Sequence, residues 1–248
     1  MRFEDYSAPF EGDFFREGRR LLGNQLRTYS ALQDRLGRDP SRDGRRAHLR
    51  DIREFYGISV SSGIRDLILR AYPLTSWIAD DISSLIEGRR VVDVGCCDGF
   101  FTVFYALNHP SSQFLGIDIS EEALKAAQER AERYQARNIR WALCDAGGRS
   151  EAYLTGADTI ILQDVLYQIF GSSDHQMERK MLSLLAPFQR QDVIVIIGQE
   201  SAEVKRYSEE DYERYRLESH DCMTEFDRHC RHDITYEIAV FRRRDKNH

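Results

Sequence analysis

The chain has 248 residues, 42% of them hydrophobic and 31% charged, which is enough to bury a full core as one large domain or as one domain with an appendage. Its formal net charge of -6 argues against a general polyanion binder, because such proteins concentrate Lys and Arg to displace counterions from phosphates. Residues 1–6 lack the basic and apolar regions of a signal peptide, and no apolar run approaches the roughly 20 residues that span a bilayer. We therefore expect a soluble, globular, cytoplasmic protein with no membrane partner.

The five cysteines predict free thiols. Their number is odd and Cys96 and Cys97 are adjacent, which argues against a disulfide framework and agrees with a reducing compartment. One stretch near the C-terminus holds several side chains that can ligate zinc, namely His220, Cys222, His229, Cys230 and His232. Its spacing fits no standard zinc finger, and part of it lies in a predicted strand whose neighbouring residues point to opposite faces. We therefore predict no metal site.

The first part of the chain has a helical pattern. Charged residues alternate with apolar residues at helical spacing from residue 11 to about 72, and residues 37–41 interrupt the pattern. Another helix is predicted from Thr75 to about Gly88. We therefore divide the chain into a helical segment, residues 1–74, and a second domain, residues 75–248.

Beyond residue 90, short apolar runs alternate with helical stretches, which is the pattern of βαβ units and of a mostly parallel sheet. The predicted strands are 90–94, 113–117, 139–144, 159–162 and 192–197. The predicted helices are 121–135, 176–185 and 208–218. Two further strand-like segments, 222–230 and 234–242, close the chain as a hairpin. The sequence thus predicts an α/β fold.

The loop after the first predicted strand carries the clearest chemical signal. Residues 91–100 contain the pattern Asp-x-Gly-x-Cys-x-Gly. A dinucleotide site needs Gly-x-Gly-x-x-Gly and a Walker loop needs Gly-x-x-x-x-Gly-Lys-Ser/Thr, and this loop has neither spacing. Acidic residues at Asp93 and Asp98 disfavour a phosphate and favour a cationic ligand. S-adenosylmethionine (SAM), which has a sulfonium and an ammonium and no phosphate, is such a ligand.

The same loop resembles motif I of class I SAM-dependent methyltransferases, whose usual form is Asp-x-Gly-x-Gly-x-Gly, and the resemblance extends over residues 75–243. It implies a Rossmann-like, mostly parallel seven-stranded sheet with an antiparallel C-terminal strand. It also implies that residues 1–74 form a helical lid over the substrate. The aromatic residues that this lid offers for a pocket or a cation contact are Phe14, Phe15, Tyr29, Phe55, Tyr56 and Tyr72, although packing against the sheet and one another explains most of them better.

The resemblance further implies which residues hold the cofactor. In the family an acidic residue at the end of the second strand accepts hydrogen bonds from both ribose hydroxyls, and Asp118 stands at this position. Asp145, after the third strand, corresponds to the family's partner of the adenine amino group. The complete set of cofactor-binding residues that we expect is Asp93, Gly95, Cys97, Gly99, Asp118, Ile119, Asp145, Ala146 and Gln163.

Cys97 departs from the family pattern because it replaces the middle glycine. Cysteine is small, so one interpretation is a tolerated substitution. The other is that its side chain narrows the space near the methionine part of the cofactor and alters the cofactor's pose or affinity.

The candidates for a catalytic role follow the fourth predicted strand. The methyl group of a sulfonium is already electrophilic, so transfer mainly needs the nucleophile held close and water excluded, and a base is optional. Asp164, Tyr167 and His175 are the residues that we select. Each of them also fits a solvated loop residue or a helix cap.

The leading hypothesis is a SAM-dependent methyltransferase that acts on a small-molecule acceptor by direct in-line displacement and releases S-adenosylhomocysteine. One alternative is an enzyme that breaks a different sulfonium bond, by intramolecular cyclisation or aminocarboxypropyl transfer, and releases methylthioadenosine. Another is a non-catalytic SAM-binding module. Nucleic acid is the disfavoured acceptor, because residues 163–166 lack the Asn/Asp-Pro-Pro-aromatic loop of enzymes that methylate base amino groups. The acceptor atom and the formation of a homo-oligomer stay open.

Overall fold

The fold is taken from a computed structural model of the chain. The structure describes residues 1–38, 45–146, 150–166, 193–200, 226–232 and 236–243. The predicted helices 176–185 and 208–218 lie outside these ranges, as does the beginning of the predicted segment 222–230.

The strands of the described residues form one mixed sheet. They are β1 (Arg90–Val94), β2 (Gln113–Asp118), β3 (Ile139–Leu143), β4 (Thr159–Gln163), β5 (Ile194–Glu200), β6 (Phe226–His232) and β7 (Tyr236–Arg243). Their order is β3-β2-β1-β4-β5-β7-β6. Strands β1 to β5 pair in parallel, whereas β7 pairs antiparallel with both β5 and β6. The predicted mostly parallel seven-stranded sheet with an antiparallel C-terminal strand is confirmed.

Strand bounds differ from the prediction mainly where pairing continues past the apolar run. β1 has the predicted bounds, and β4 extends by one residue because Gln163 pairs with Gly198 in the parallel register. β5 begins at Ile194 and continues to Glu200, beyond the apolar residues that defined it in the sequence. Main-chain pairing does not depend on side-chain polarity, so an apolar run marks a strand's centre better than its ends.

The helices within the described ranges cover the sheet and precede it. They are α1 (Phe3–Tyr6), α2 (Phe14–Leu22), α3 (Gln25–Arg38), α4 (Arg45–Ser61), α5 (Ile64–Ala71), α6 (Thr75–Leu85), α7 (Phe100–Asn108), α8 (Glu121–Arg133) and α9 (Glu151–Leu154). The predicted helix 121–135 thus ends at Arg133, and Gln135 has a φ of +57°, which is outside helical geometry. None of these helices has the length and apolarity to span a bilayer.

Both faces of the sheet are buried. One apolar cluster lies between the sheet and helices α6, α7 and α8, and a second covers the opposite face and includes Leu154 of α9. This burial explains why β1 and β4 are almost continuously apolar, as in parallel sheets with both faces covered.

The N-terminal segment divides into two parts. Phe3 and Tyr6 of α1 belong to the first cluster, where they pack against Phe100 and Phe104 of α7. Helices α2 to α5 instead share a small core of their own, formed by Leu22, Tyr29 and Ile64 with the partly buried Leu26, Phe55, Ile58 and Ile68. Helix α1 is therefore packed into the core of the sheet domain, whereas α2 to α5 form a layer with a small core of its own.

Candidate functional site

A cavity opens at the carboxyl ends of β1, β2 and β4. The strand order reverses between β1 and β4, and ligands of open parallel sheets bind at such a switch point. Of the residues that the sequence assigned to the cofactor, those that line this cavity are Asp93, Gly95, Cys97, Asp118, Ile119, Asp145, Ala146 and Gln163.

Gly95 permits a close approach between the motif I loop and the loop after β4. Its φ is +74°, a conformation that favours glycine. A Cβ atom at this position would lie 2.3 Å from Cγ2 of Val165, which is far inside van der Waals contact. The N–H groups of Gly95 and Cys96 both donate to the carbonyl oxygen of Ile117, at 2.8 and 3.1 Å, and tie the loop to the end of β2.

Gly99 is the one expected cofactor residue outside the cavity lining. It precedes the first residue of α7 with a φ of +68°, and a Cβ atom there would lie 2.8 Å from Trp141 and 2.9 Å from Cβ of Ala127. The structure therefore accounts for this glycine by the packing of α7 against α8 and β3.

Cys97, which replaces the middle glycine of the motif, adopts a backbone conformation that favours glycine. Its φ is +50°, in the left-handed region, which costs a residue with a side chain roughly 1–2 kcal/mol. The residue is buried and lines the cavity. Burial raises the pKa of its thiol, so the sulfur stays protonated and is a poor nucleophile.

Asp118 connects the motif I loop to the loop after β2. It is buried; Oδ2 accepts a hydrogen bond from the N–H of Cys97 at 2.9 Å, and Oδ1 accepts one from the N–H of Ser120 at 2.8 Å. Burial raises the pKa of the carboxyl, and the two N–H donors oppose this. Each carboxylate oxygen can accept more than one hydrogen bond, so both can also receive a donor from a ligand in the cavity.

Asp93 at the end of β1 is buried in the cavity wall and accepts a short hydrogen bond from the hydroxyl of Thr102. Burial raises the pKa of Asp93 to about 6, the Thr102 bond lowers it, and the nearby charge of Asp118 raises it further. The carboxyl group therefore titrates close to neutral pH when the cavity holds no cation.

The sequence interpretation of Asp98 was wrong. Its acidic group was expected to favour a cationic ligand, but the side chain is buried outside the cavity lining and is neutralised by two arginines. Oδ1 accepts from Nε of Arg65 at 3.0 Å, and Oδ2 accepts from Nη2 of Arg130 at 3.0 Å. Arg130 also pairs with Asp66 on α5 at 2.6 Å. Asp98 thus links α5 to α7 and α8.

Arg65 is a site residue that the sequence analysis did not identify. It lines the cavity from α5 and is the one cationic side chain among its described lining residues. Nε is directed to Asp98, and the described residues offer no hydrogen-bond partner to its Nη atoms. No local pattern distinguishes this arginine from the many others on the N-terminal helices, so its role depends on how α5 packs.

Helices α4 and α5 form one wall of the cavity. Their apolar contribution consists of Leu49, Ile52, Tyr56 and Leu69. Nε of Arg53 on α4 donates to the carbonyl oxygen of Ile119 at 3.2 Å, which joins this wall to the loop after β2. Of the aromatic residues proposed for a pocket, Tyr56 lines the cavity, whereas Tyr29 stacks on Phe55 inside the helical layer.

Asp164 is the candidate for a catalytic role that the structure describes. It follows β4 with a φ of +52°, and it is one of the residues that line the cavity. Tyr167 and His175 lie outside the described residues, and so do His220 and Cys222. Of the three predicted catalytic residues, Asp164 is therefore the one whose contacts the structure describes.

Comparisons with known proteins identify the fold and the family. A family profile described as a methyltransferase domain matches residues 85–238. An O-methyltransferase family protein from Burkholderia thailandensis has a similar structure, with a TM-score of 0.61, 11% identity and coverage of 92% of this chain and 71% of that chain. Magnesium protoporphyrin IX methyltransferase from Synechocystis PCC 6803, solved with bound SAH, gives a TM-score of 0.56, 16% identity and coverage of 79% and 100%.

Two curated proteins resemble part of the sequence. One is a malonyl-[acyl-carrier protein] O-methyltransferase of Legionella pneumophila, 34% identical over 33% of this chain and 28% of that protein. The other is a tRNA (guanine-N(7)-)-methyltransferase of a Synechococcus strain, 30% identical over 36% of this chain and 38% of that protein. This chain thus matches well under half the length of each. Together with the profile match and the sheet topology, these similarities establish that the chain belongs to the class I, Rossmann-like family of SAM-dependent methyltransferases.

Proposed function

We propose that the chain binds SAM in the cavity at the carboxyl ends of β1, β2 and β4 and transfers its methyl group to a small-molecule acceptor, with release of S-adenosylhomocysteine. The charge of the cavity lining carries this proposal. Among the residues that the structure describes, four carboxyl groups, on Asp93, Asp118, Asp145 and Asp164, line it together with one guanidinium, that of Arg65. SAM has two cationic groups and one carboxylate, so this lining matches it, whereas a phosphate-bearing cofactor would be repelled.

The lining residues can be assigned to the parts of the cofactor. Asp118 accepts hydrogen bonds from the ribose hydroxyls, because each of its oxygens keeps acceptor capacity beyond its backbone bond. Asp145 and Ala146, together with Ile119, surround the adenine between the ends of β2 and β3. Ile52 of α4 also lines the cavity.

The amino-acid end of the cofactor is assigned to the β1 and β4 side of the cavity. Asp164 receives the ammonium, and the Nη atoms of Arg65 receive the carboxylate, since a guanidinium can bind a carboxylate through two parallel hydrogen bonds. Gly95 and Val165 line the same cavity, and the missing side chain of Gly95 lets the motif I loop pack closely against Val165. Cys97 adds a protonated thiol to the same wall.

The chain's contribution to transfer is positioning and exclusion of water. Bound SAM supplies an electrophilic methyl group on its sulfonium. The apolar residues of α4 and α5 line the cavity with Phe101 and Val165, and they can hold an apolar acceptor close while keeping water out. Tyr167 and His175 stay candidates for the proton transfer that some acceptors require.

An acceptor small enough to enter beneath α4 and α5 fits this arrangement. The wall that these helices form is mostly apolar and includes the aromatic ring of Tyr56. The related proteins named above act on a malonyl group of a carrier protein, on tRNA and on a porphyrin, so the family resemblance by itself does not select among acceptor classes.

The proposal is tested by incubating the full chain with SAM and pooled metabolites, and by measuring the SAM-derived products by mass spectrometry. We expect S-adenosylhomocysteine that depends on a small-molecule pool. Methylthioadenosine without S-adenosylhomocysteine would instead favour cleavage of another sulfonium bond, and tight SAM binding without turnover would favour a binding module. Parallel reactions with tRNA and with acylated carrier protein test the macromolecular acceptors, and turnover restricted to either would overturn the small-molecule assignment.

Asp93 predicts a pH dependence of SAM binding. Its folded-state pKa of about 6 lies above the ordinary 3.8, so its ionisation destabilises the fold as pH rises from about 4 through about 6. A bound cation favours the ionised form, so SAM affinity should increase from pH 5 to pH 7, by about tenfold for each unit by which binding lowers this pKa. Calorimetry at pH 6 in buffers of different ionisation enthalpy should detect proton release. Equal proton release by Asp93→Asn would contradict the assignment.

A further inference from the structure

Two consecutive residues of the cavity wall each accept a hydrogen bond from a buried tyrosine. Gln163 at the end of β4 accepts through Oε1 a hydrogen bond from the hydroxyl of Tyr105, at 3.0 Å. Asp164, the next residue, accepts through Oδ2 a hydrogen bond from the hydroxyl of Tyr236, at 3.1 Å. Both tyrosines are fully buried, and neither lines the cavity. They can therefore act on a ligand only through the residues that they contact.

The backbone brings Asp164 into this position from β4. Its φ of +52° is in a region that side chains rarely adopt, so tertiary contacts must hold it there. One such contact is its own N–H, which donates to the carbonyl oxygen of Gly198 at 2.9 Å. The residue is thus fixed to β5 by its main chain and to β7 by its side chain.

The orientation of Tyr236 is set by packing. It is the first residue of β7, and its ring meets that of Trp77 nearly edge to face, with the centroids 6.3 Å apart. The hydroxyl crosses β5 above Gly198, where a Cβ atom would lie only 2.6 Å from the hydroxyl oxygen. The absence of a side chain at Gly198 therefore lets Tyr236 reach Asp164.

This hydroxyl can only donate to the carboxylate. Burial, with the nearby carboxylate of Asp164, raises the pKa of Tyr236, so the phenol stays protonated throughout the range in which proteins are stable. A hydrogen bond from a rigid donor to a carboxylate is stronger than one between neutral groups, and it restricts rotation of the aspartate side chain.

We propose that Tyr236 is a positioning residue, which orients the carboxylate of Asp164 to receive the ammonium of the cofactor's amino-acid end. This inference rests on the proposed SAM site and adds to it a role for the antiparallel strand. β7 completes the sheet and also supplies the hydroxyl that fixes one wall of the cofactor cavity. Gly198 belongs to the same arrangement, because it provides the space through which the hydroxyl passes.

The test compares two ligands that differ at the amino-acid end. S-adenosylhomocysteine has the ammonium and carboxylate, whereas 5′-methylthioadenosine has the same adenosine and thioether without them. The affinities of both are measured by calorimetry for the wild type and for Tyr236→Phe. We expect Tyr236→Phe to weaken the binding of S-adenosylhomocysteine by about tenfold, which corresponds to the loss of one hydrogen bond to a charged group. The affinity for methylthioadenosine should change by less than about twofold.

Three further variants separate positioning from general loss of structure. Asp164→Asn should show the same ligand selectivity, and adding Tyr236→Phe to it should cause little further loss, because the two residues act as one unit. Gly198→Ala, which crowds the hydroxyl without removing it, should resemble Tyr236→Phe. Tyr134→Phe, which removes a hydroxyl bonded to the carbonyl oxygen of Tyr6, is the matched control and should bind both ligands as the wild type does.

The outcomes are distinct. Equal weakening of both ligands by Tyr236→Phe and Gly198→Ala would mean that Tyr236 is purely structural, and unchanged affinity for both would mean that its hydroxyl does not position Asp164. Either result overturns the inference while the cofactor site stands. Failure of the wild-type chain to bind either ligand would overturn the proposed function, and this inference with it.

Discussion

Replacing Asp98 with asparagine is expected to lower the free energy of unfolding by about 3 kcal/mol, in the range measured when one partner of a buried ion pair is removed. Asp98 is 3% exposed and accepts hydrogen bonds from both Arg65 and Arg130. Asparagine keeps the shape of the side chain and one acceptor oxygen but removes the charge. Arg65 would then have no carboxylate partner within hydrogen-bond distance among the described residues. Urea unfolding, extrapolated to zero denaturant, measures the change.

The matched control is Asp66→Asn. Asp66 pairs with Arg130 in the same group of charges, but its side chain is 38% exposed, so solvent screens the loss and we expect a change below about 1 kcal/mol. Arg130 would keep Asp98 as its partner. If Asp98→Asn unfolded within about 0.5 kcal/mol of the wild type, or if the two variants were equally destabilised, the idea that Asp98 joins α5 to the sheet domain would be wrong.

Asp118→Asn is expected to weaken S-adenosylhomocysteine binding by about 10- to 100-fold, which corresponds to about 1.4–2.8 kcal/mol. The buried carboxylate accepts hydrogen bonds from the N–H groups of Cys97 and Ser120. Its oxygens can still accept hydrogen bonds from two hydroxyl groups. An asparagine amide has one acceptor oxygen, and its NH₂ group would face an N–H that also donates. Binding is measured by calorimetry at pH 7.5. Asp145→Asn, which alters the one adenine contact that we propose for this residue, should weaken S-adenosylhomocysteine binding by less than about tenfold.

Because Asp118 also ties the motif I loop to β2, lost affinity alone would not distinguish a ribose contact from a displaced loop. A ligand lacking the ribose 2′-hydroxyl makes this distinction. Removing the 2′-hydroxyl from the ligand should weaken binding to the wild type by several-fold. It should weaken binding to Asp118→Asn by much less, since the change in the ligand and the change in the protein remove the same hydrogen bond. An equal loss of affinity in both proteins would disprove the contact between Asp118 and the ribose. Asp118 would then only hold the motif I loop in place.

Much of the fold could be predicted because its signals are local. The apolar runs of β1 and β4 identify strands buried on both faces, and Ser120 caps α8 by accepting from the N–H of Ala123, as its position before the helix predicted. The spacing within residues 91–100 identified the loop. Asp118 lines the cavity, as expected for a residue at the carboxyl end of a parallel strand near the switch point.

The errors and omissions concern residues whose partners are distant in the chain. Asp98 looked like a ligand-facing acid because its sequence neighbours are site residues, but its charge is taken up by Arg65, which is 33 positions away. The close packing of Gly99 against Trp141 was not predictable either, and the assignment of Gly99 to the cofactor stays a prediction. Tyr236 carried only a strand pattern, although its hydroxyl reaches Asp164 across 72 positions.

The alternation of short apolar runs with helical stretches predicted the α/β class and the mostly parallel sheet, because both depend on periodicity within short segments. The family was inferred from the resemblance of residues 91–100 to motif I. The tertiary structure alone decided which charges face the cavity and which neutralise one another. Helix α5 supplies the cavity's guanidinium, and β7 supplies the hydroxyl behind Asp164. The physical reason is that an arginine or a tyrosine has the same local pattern whether it binds a ligand, an aspartate or water, and only the packing of distant elements selects its partner.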